Sequence, residues 1–277
     1  MAWSLYLLNP WAKRWPPYWG KNVNAVESPN LPLKAEHIII GEKYSGILTL
    51  SLKKLGITAL YVPDNPHVDH RLSGHADLSV FHGGGERLWL APYLKDSSFS
   101  TTLEKMGFKL SYPKIVQSEA YPGDAQLNMC ICGDKLIYNP RTAAYNIADF
   151  LTIHAGLEPV KCRQGYSKCA VCVVDSGAII TADRGIAAAS KEAGLDVLLI
   201  SPEGVSLEGF DCGFIGGAAF KISREALAFT GRLDKHPDRE AILSFLDRYK
   251  VEPLYLTESP IFDIGSGLAI TEKTVSL

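Results

Sequence analysis

The chain has 277 residues, 47% of them hydrophobic, and its 28 Lys and Arg nearly balance 30 Asp and Glu for a formal net charge of −2. That balance provides no overall field to draw it to nucleic acid or to an anionic membrane, so neither is expected as a partner. No apolar run approaches the roughly 18 residues of a spanning helix, and the start lacks the charged segment and small-residue cleavage site of a signal peptide, so a cytoplasmic location is expected. The six cysteines (Cys130, Cys132, Cys162, Cys169, Cys172 and Cys212) mostly sit in apolar runs; reduced thiols are the expectation.

Residues 1–34 form a Trp/Pro-rich arm holding four of the five tryptophans, Trp3, Trp11, Trp15 and Trp19, with Pro10, Pro16 and Pro17 barring a continuous helix. Its rings can pack across their own domain or anchor a homodimer. Residues 35–277 then read as one domain, because the same phrase recurs without a Ser/Gly/Pro-rich linker. The phrase is a helix-sized stretch, a glycine stop and a short strand: Lys54-Leu55-Gly56-Ile57, Lys105-Met106-Gly107-Phe108, His154-Ala155-Gly156-Leu157 and Glu192-Ala193-Gly194-Leu195. Glycine is suited to the left-handed residue that ends many helices. The stops are 51, 49 and 38 residues apart, near the length of a propeller blade of three strands and a helix.

The first unit begins with a strand at 37–40, continues in a helix near 45–55 and closes with a strand at 57–62. In the second, residues 77–82 alternate as a strand, Gly83-Gly84-Gly85 turns, 87–91 returns, Ser98 or Ser100 caps a helix with Phe99, Leu103 and Met106 inward, and 108–112 closes. The third runs from 126–132 through Gly133-Asp134 to 136–138, and a helix begins at Asn139-Pro140 with Ile147, Phe150 and Leu151 inward. The fourth has strands at 169–174 and 178–181 and a helix capped by Asp183. The fifth has strands at 214–221 and 227–231 and a helix opening at Pro237; that helix ends near Arg248-Tyr249-Lys250 without a glycine. Residues 262–271 have the alternation of an opening strand and no unit of their own. Placed in the first unit, they close the ring and cover a sheet edge. The expected class is therefore α/β: five strand-strand-helix-strand repeats in a five-bladed pseudo-symmetric propeller.

Alternation on the opening strands is expected to divide an apolar core set from a centre-facing polar set. The centre then receives Asp77, Ser79, Gln126, Asn128, Cys130, Lys168, Cys172 and Asp263, with Tyr166 on the parity of Lys168, while Cys169 points into the core. These polar groups could merely satisfy one another, or converge on a ligand. His75 approaches the same centre beside Asp77, the leading carboxylate. His67, His70, His75 and His82 lie near Asp69 and Asp77 in sequence, and imidazole with carboxylate can bind zinc or manganese. His67 and His70 sit in a Pro-flanked loop that enforces no shared geometry, so no metal and no other cofactor is assigned.

Several phrases carry a resemblance: Ser73-Gly74-His75-Ala76-Asp77, Gln164-Gly165-Tyr166-Ser167-Lys168-Cys169, Ile179-Ile180-Thr181-Ala182-Asp183-Arg184-Gly185-Ile186, Gly213-Phe214-Ile215-Gly216-Gly217 and Asp263-Ile264-Gly265. With the five units, they resemble the pentein fold of the guanidino-group-modifying enzymes over about residues 35–272, and within it an uncharacterised bacterial family. In the active enzymes a carboxylate of the second unit clamps the guanidinium, a carboxylate of the third and a histidine of the fourth move protons, and a cysteine on the last strand attacks carbon. The resemblance aligns Asp77 with the first, Asn128 with the second, Tyr166 with the histidine and Ala269 with the cysteine. It thus implies a protein that binds, or modifies, a small cationic or zwitterionic guanidino- or amino-acid-like ligand without the usual thiol attack, since alanine has no nucleophilic atom. Asp77, His75, Asn128, Tyr166, Lys168 and Asp263 are the expected ligand-binding residues. A divergent hydrolase is a further reading, with Cys172 or Cys169 as relocated nucleophile beside Lys168. So is a non-catalytic protein-interaction module, because the resemblance extends to translation initiation factor 6.

Overall fold

The computed structural model of the protein describes residues 24–273; Trp3, Trp11, Trp15 and Trp19, with the packing or dimer contact expected of them, lie outside the described residues. Five sheets of three strands repeat along the chain. The first unit contains β1 (Ala35–Gly41), α1 (Ser45–Lys54) and β2 (Thr58–Val62); the second β3 (Val80–His82), β4 (Arg87–Leu90), α2 (Ser98–Lys105) and β5 (Lys109–Ser111). The third contains β6 (Cys130–Cys132), β7 (Lys135–Tyr138), α3 (Tyr145–Asp149) and β8 (Glu158–Lys161). The fourth opens with the one-turn helix α4 (Ser167–Ala170) before β9 (Val171–Asp175), β10 (Ala178–Thr181), α5 (Arg184–Glu192) and β11 (Asp196–Leu199). The fifth contains β12 (Ala219–Ser223), β13 (Ala226–Phe229), α6 (Arg239–Arg248) and β14 (Glu252–Tyr255), and β15 (Leu268–Glu272) ends the described chain.

In the second to fifth units the first two strands pair antiparallel and the third joins parallel after its helix, giving β3-β4-β5, β6-β7-β8, β9-β10-β11 and β12-β13-β14. The first unit borrows its opening strand from the other end of the chain. β15 pairs antiparallel with β1, Ile38 opposite Ala269 and Ile39 opposite Leu268, and β2 completes the sheet. Each main helix is followed by a residue with positive φ: Gly56 (71°), Gly107 (99°), Gly156 (68°), Gly194 (84°) and, in the fifth unit, Lys250 (54°). Lys250 therefore occupies the position that glycine fills in the other four units. Asp183 caps α5 by accepting the Ile186 N–H at 2.7 Å, as its sequence suggests, whereas α2 is capped by Ser97, one residue before the expected pair.

Other boundaries move. The third helix begins at Tyr145, because the Asn139 side chain instead accepts the Arg141 N–H at 2.9 Å and donates to the Arg163 carbonyl at 2.7 Å, holding a turn. Its last turn, Phe150–His154, widens into π geometry. The fifth begins at Arg239 rather than Pro237.

The hydrophobic core is divided into five main clusters, each filling the space between two sheets. Ile39, Val62, Val80, Leu88 and Leu103 join the first and second; Phe81, Trp89, Met129 and Leu136 the second and third; Cys130, Ile137, Val171 and Ile179 the third and fourth. Cys172, Ile180, Leu227 and Phe229 join the fourth and fifth, and Phe220, Ala228, Ile38 and Ile40 join the fifth and first. Alternate residues of one strand thus enter different clusters: Ile38 and Ile40 face the fifth sheet, Ile39 the second. Both faces of these strands are buried, so alternation separates two apolar neighbours. This corrects the expected division into core and centre: Cys130 and Cys172 are core residues packed between sheets.

Candidate functional site

The polar residues gather where the opening strands begin, in segments that are not strands. Asp77 lies in the 3-10 turn Ala76–Leu78 before β3, Lys168 and Cys169 in α4 before β9, and Asp263 in irregular chain before β15. One-turn helices replace the period of 2 by a period near 3, which reverses the orientation expected for the two cysteines. Cys169, expected in the core, enters the polar cluster: its thiol donates to Asp77 Oδ2 at 2.8 Å.

Asn128 organises this contact. Its Oδ1 accepts the backbone N–H groups of Lys168 at 2.7 Å and Cys169 at 3.2 Å, satisfying two donors at the start of α4. Its Nδ2 reaches the Cys169 sulfur at 3.4 Å and the Asp77 carbonyl at 3.5 Å. Lys168 is buried and spends its ammonium on Ser266 Oγ at 2.7 Å. Asp263 is held by the backbone, its Oδ2 accepting from Phe214 at 2.8 Å and its Oδ1 from Gly265 at 2.9 Å. A Cβ on Gly217 would lie 1.9 Å from Asp263 Oδ1, so only glycine admits that carboxylate. Gly265 combines φ of +69° with an approach to His75 that leaves a Cβ 2.3 Å from the imidazole's own Cβ. His75 Nδ1 stands 4.0 Å from Asp263 Oδ1.

His75, Asp77, Asn128, Lys168, Cys169 and Asp263 are all at least nine-tenths buried, and His75 Nε2 and Asp77 Oδ1 have no hydrogen-bond partner. Burial pushes the Asp77 carboxyl up to about 6 against the opposing pull of His75, the Cys169 hydrogen bond and Lys168. Burial, then the charges of Asp77 and Asp263, hold the Cys169 thiol well above the usual range. The expectation that Lys168 would lower a neighbouring thiol therefore fails for Cys169, where burial dominates and the carboxylates of Asp77 and Asp263 add to it. Burial also takes Cys172 up to about 12, despite Lys168. Beside Asp77 and Lys168 a narrow recess, lined also by Asn30, His82, Leu268 and Ala269, has room for about one water molecule.

Tyr166 stands apart: its hydroxyl donates to Asp124 Oδ2 at 2.5 Å, and its ring tilts against Tyr121 and Phe214. The histidines near Asp77 in sequence also disperse. His82 Nε2 pairs with the Gly85 carbonyl at 2.9 Å, His70 lies exposed 3.5 Å from Asp69, and the His67 ring packs on Tyr93. Ser266 and Tyr44 were not among the expected residues. Ser266 receives Lys168, and the buried Tyr44 ring lies 6.5 Å from that of His75.

The model of a family of unknown function, DUF6873, matches residues 39–268. The chain belongs to DUF6873. That match begins and ends on Ile39 and Leu268, which face each other across β1 and β15. No curated protein matches the DUF6873 chain in sequence. Solved structures match it in fold. The amidinotransferase SxtG of the saxitoxin biosynthetic pathway, from Microseira wollei, is 10% identical at a TM-score of 0.56, covering 90% of this chain and 98% of its own. Inosamine-phosphate amidinotransferase StrB1 from Streptomyces griseus is 12% identical at 0.53, with 91% and 98% covered. A Cys-to-Ser variant of C. jejuni agmatine deiminase with substrate bound is 9% identical at 0.53, with 94% and 100% covered. The pentein fold expected from the sequence motifs is thus the fold found, and the DUF6873 chain carries it. Among the described residues no helix is long and apolar enough to cross a membrane.

Proposed function

We propose that the five sheets close into a ring and that the buried cluster at their opening strands binds a small cationic guanidino- or amino-acid-like ligand, with Asp77 as its anchor. One observation carries this reading: Asp77 is buried, one of its carboxylate oxygens has no partner, and the nearby ammonium of Lys168 is committed to Ser266. A second buried carboxylate, Asp263, adds negative charge on the His75 side. A buried carboxylate without a full set of partners is costly, and a cation with N–H donors would relieve that cost. The fold relatives include two amidinotransferases and an agmatine deiminase, which supports a guanidino-type ligand.

Two features favour a route other than the usual thiol attack. Ala269, aligned by the resemblance with the nucleophile, lines the recess without a reactive atom, and the Cys169 thiol is protonated and donates to Asp77. Titration calorimetry with agmatine and with arginine tests the proposal. Binding that is lost on Asp77→Asn, with the far-ultraviolet circular dichroism spectrum retained, is expected; equal affinity in the variant removes Asp77 from the site.

A further inference from the structure

One donor atom each of His75, Cys169 and Asp263 lies within 4.8 Å of the other two, and among the described residues no other group of three or more His, Cys, Asp or Glu is drawn together in this way. The three come from separate segments: the loop before β3, the helix α4 and the chain leading to β15. All three are buried. We propose that His75, Cys169 and Asp263 form a binding site for a divalent ion of the zinc class, with the fourth position left to a water or ligand atom.

The donor set is the first argument. One imidazole, one thiol and one carboxylate is a borderline-soft combination that suits zinc, whereas magnesium and calcium take oxygen. Geometry is the second. Bonds of about 2.0–2.3 Å place tetrahedral donors roughly 3.3–3.7 Å apart, so the 4.0 Å between His75 Nδ1 and Asp263 Oδ1 needs only a small contraction.

Support behind the donors is the third. Asp263 is oriented by the N–H groups of Phe214 and Gly265, and the backbone of Cys169 is fixed by Asn128, the outer contacts that hold ligands in register. The fourth argument is the imidazole itself: His75 is buried and its Nε2 has no partner, so that nitrogen is not committed elsewhere in the protein. On binding, the sulfur–hydrogen bond of Cys169 breaks, sulfur bonds the ion and the proton leaves to solvent. Asp77 then loses the thiol donor it now accepts and is left as a free carboxylate beside the ion. The inference goes beyond the reading of Asp77 as a ligand anchor and stands whether or not an organic cation binds.

The test is cobalt titration of the full chain after dialysis against a chelator. One equivalent per chain is expected, with the visible bands of four-coordinate cobalt and a near-ultraviolet thiolate-to-cobalt band, all displaced by zinc. Cys169→Ser is expected to abolish the thiolate band, and His75→Gln to weaken binding at least tenfold, while Cys212→Ser leaves both unchanged. Asp77→Asn should keep the metal while losing organic cations, so the two proposals fail separately. Wild-type protein that takes up less than one equivalent, gives a six-coordinate spectrum or shows no thiolate band overturns the site, whatever the variants do. Retention of that band in Cys169→Ser does so as well.

Discussion

Asn128 fixes the orientation of Cys169: its side-chain oxygen accepts the Cys169 N–H at 3.2 Å, and its side-chain nitrogen stands 3.4 Å from the sulfur. The amide of Asn128 uses both ends. A carboxylate could accept the two N–H groups of α4 but could not donate toward the thiol and the Asp77 carbonyl.

Asn128→Ala leaves the Lys168 and Cys169 N–H groups buried without acceptors. Each such loss costs about 1–3 kcal/mol, so the variant should be less stable by roughly 2–6 kcal/mol. Urea denaturation of wild type and variant measures this, and a difference near zero would mean that the α4 turn has other acceptors.

Thiol reactivity separates the cysteines. The partly exposed Cys212 is expected to react first with iodoacetamide in the native protein, and Cys169 and Cys172 to resist, because both are buried and burial disfavours their thiolates. Peptide mass spectrometry after timed alkylation reads this directly. Early labelling of Cys169 would revive it as a nucleophile.

The fifth helix stop offers a stabilising change. Lys250 is exposed and holds φ of 54°, a conformation that costs a side chain roughly 1–2 kcal/mol. Lys250→Gly should raise stability by about 1 kcal/mol after the added entropy of the unfolded glycine is subtracted. Gly194→Ala is the converse: nothing lies within 4 Å of the added Cβ, yet φ of +84° should make it destabilising. Melting temperatures of the two variants should therefore move in opposite directions.

Lys221 predicts a pH dependence. It is buried in β12, donates to the Arg224 carbonyl at 2.6 Å, and burial lowers its ammonium to about 8 from an ordinary 10.5. Between those values the unfolded chain binds the extra proton, so this residue's contribution to stability is full above 10.5 and is lost as pH falls through about 8. Lys221→Met should be the more stable protein at pH 7, and its advantage should shrink between about pH 8 and 10. Denaturation of both proteins across that range checks the sign.

Removing residues 262–277 takes away β15 and with it Leu268 and Ile270 from one cluster and Ala269 from another. The edge of β1 would then be open to other chains. Loss of cooperative unfolding together with aggregation is expected, measured by calorimetry and light scattering; a monomeric, cooperatively folded truncation would contradict the role given to β15.

The fold was legible in the sequence because its signals are local. Gly56, Gly107, Gly156 and Gly194 mark four helix ends, Asp183 caps its helix, and the orphan alternation at 262–271 has one edge to cover. The site was only half legible. Asp77, Asn128, Lys168 and Asp263 are recognisable as polar residues near strand starts, but strand alternation does not hold through Ala76–Leu78 and Ser167–Ala170, which form helical turns. Strand parity alone places Cys169 in the core and Cys172 at the centre, and the structure reverses both. The role of Asn128 rests on backbone N–H groups 40 and 41 residues away in sequence, and no local pattern encodes such a contact.

The buried cluster takes His75 and Asp77 from the second unit, Asn128 from the third, Lys168 and Cys169 from the fourth, and Asp263 and Ser266 from the segment before β15. During synthesis, which folds N-terminal parts first, a growing chain holds every earlier group and still lacks the last carboxylate. The cluster is therefore complete only once Asp263 and Ser266 have left the ribosome, and a proteolytic fragment that stops short of them cannot assemble it.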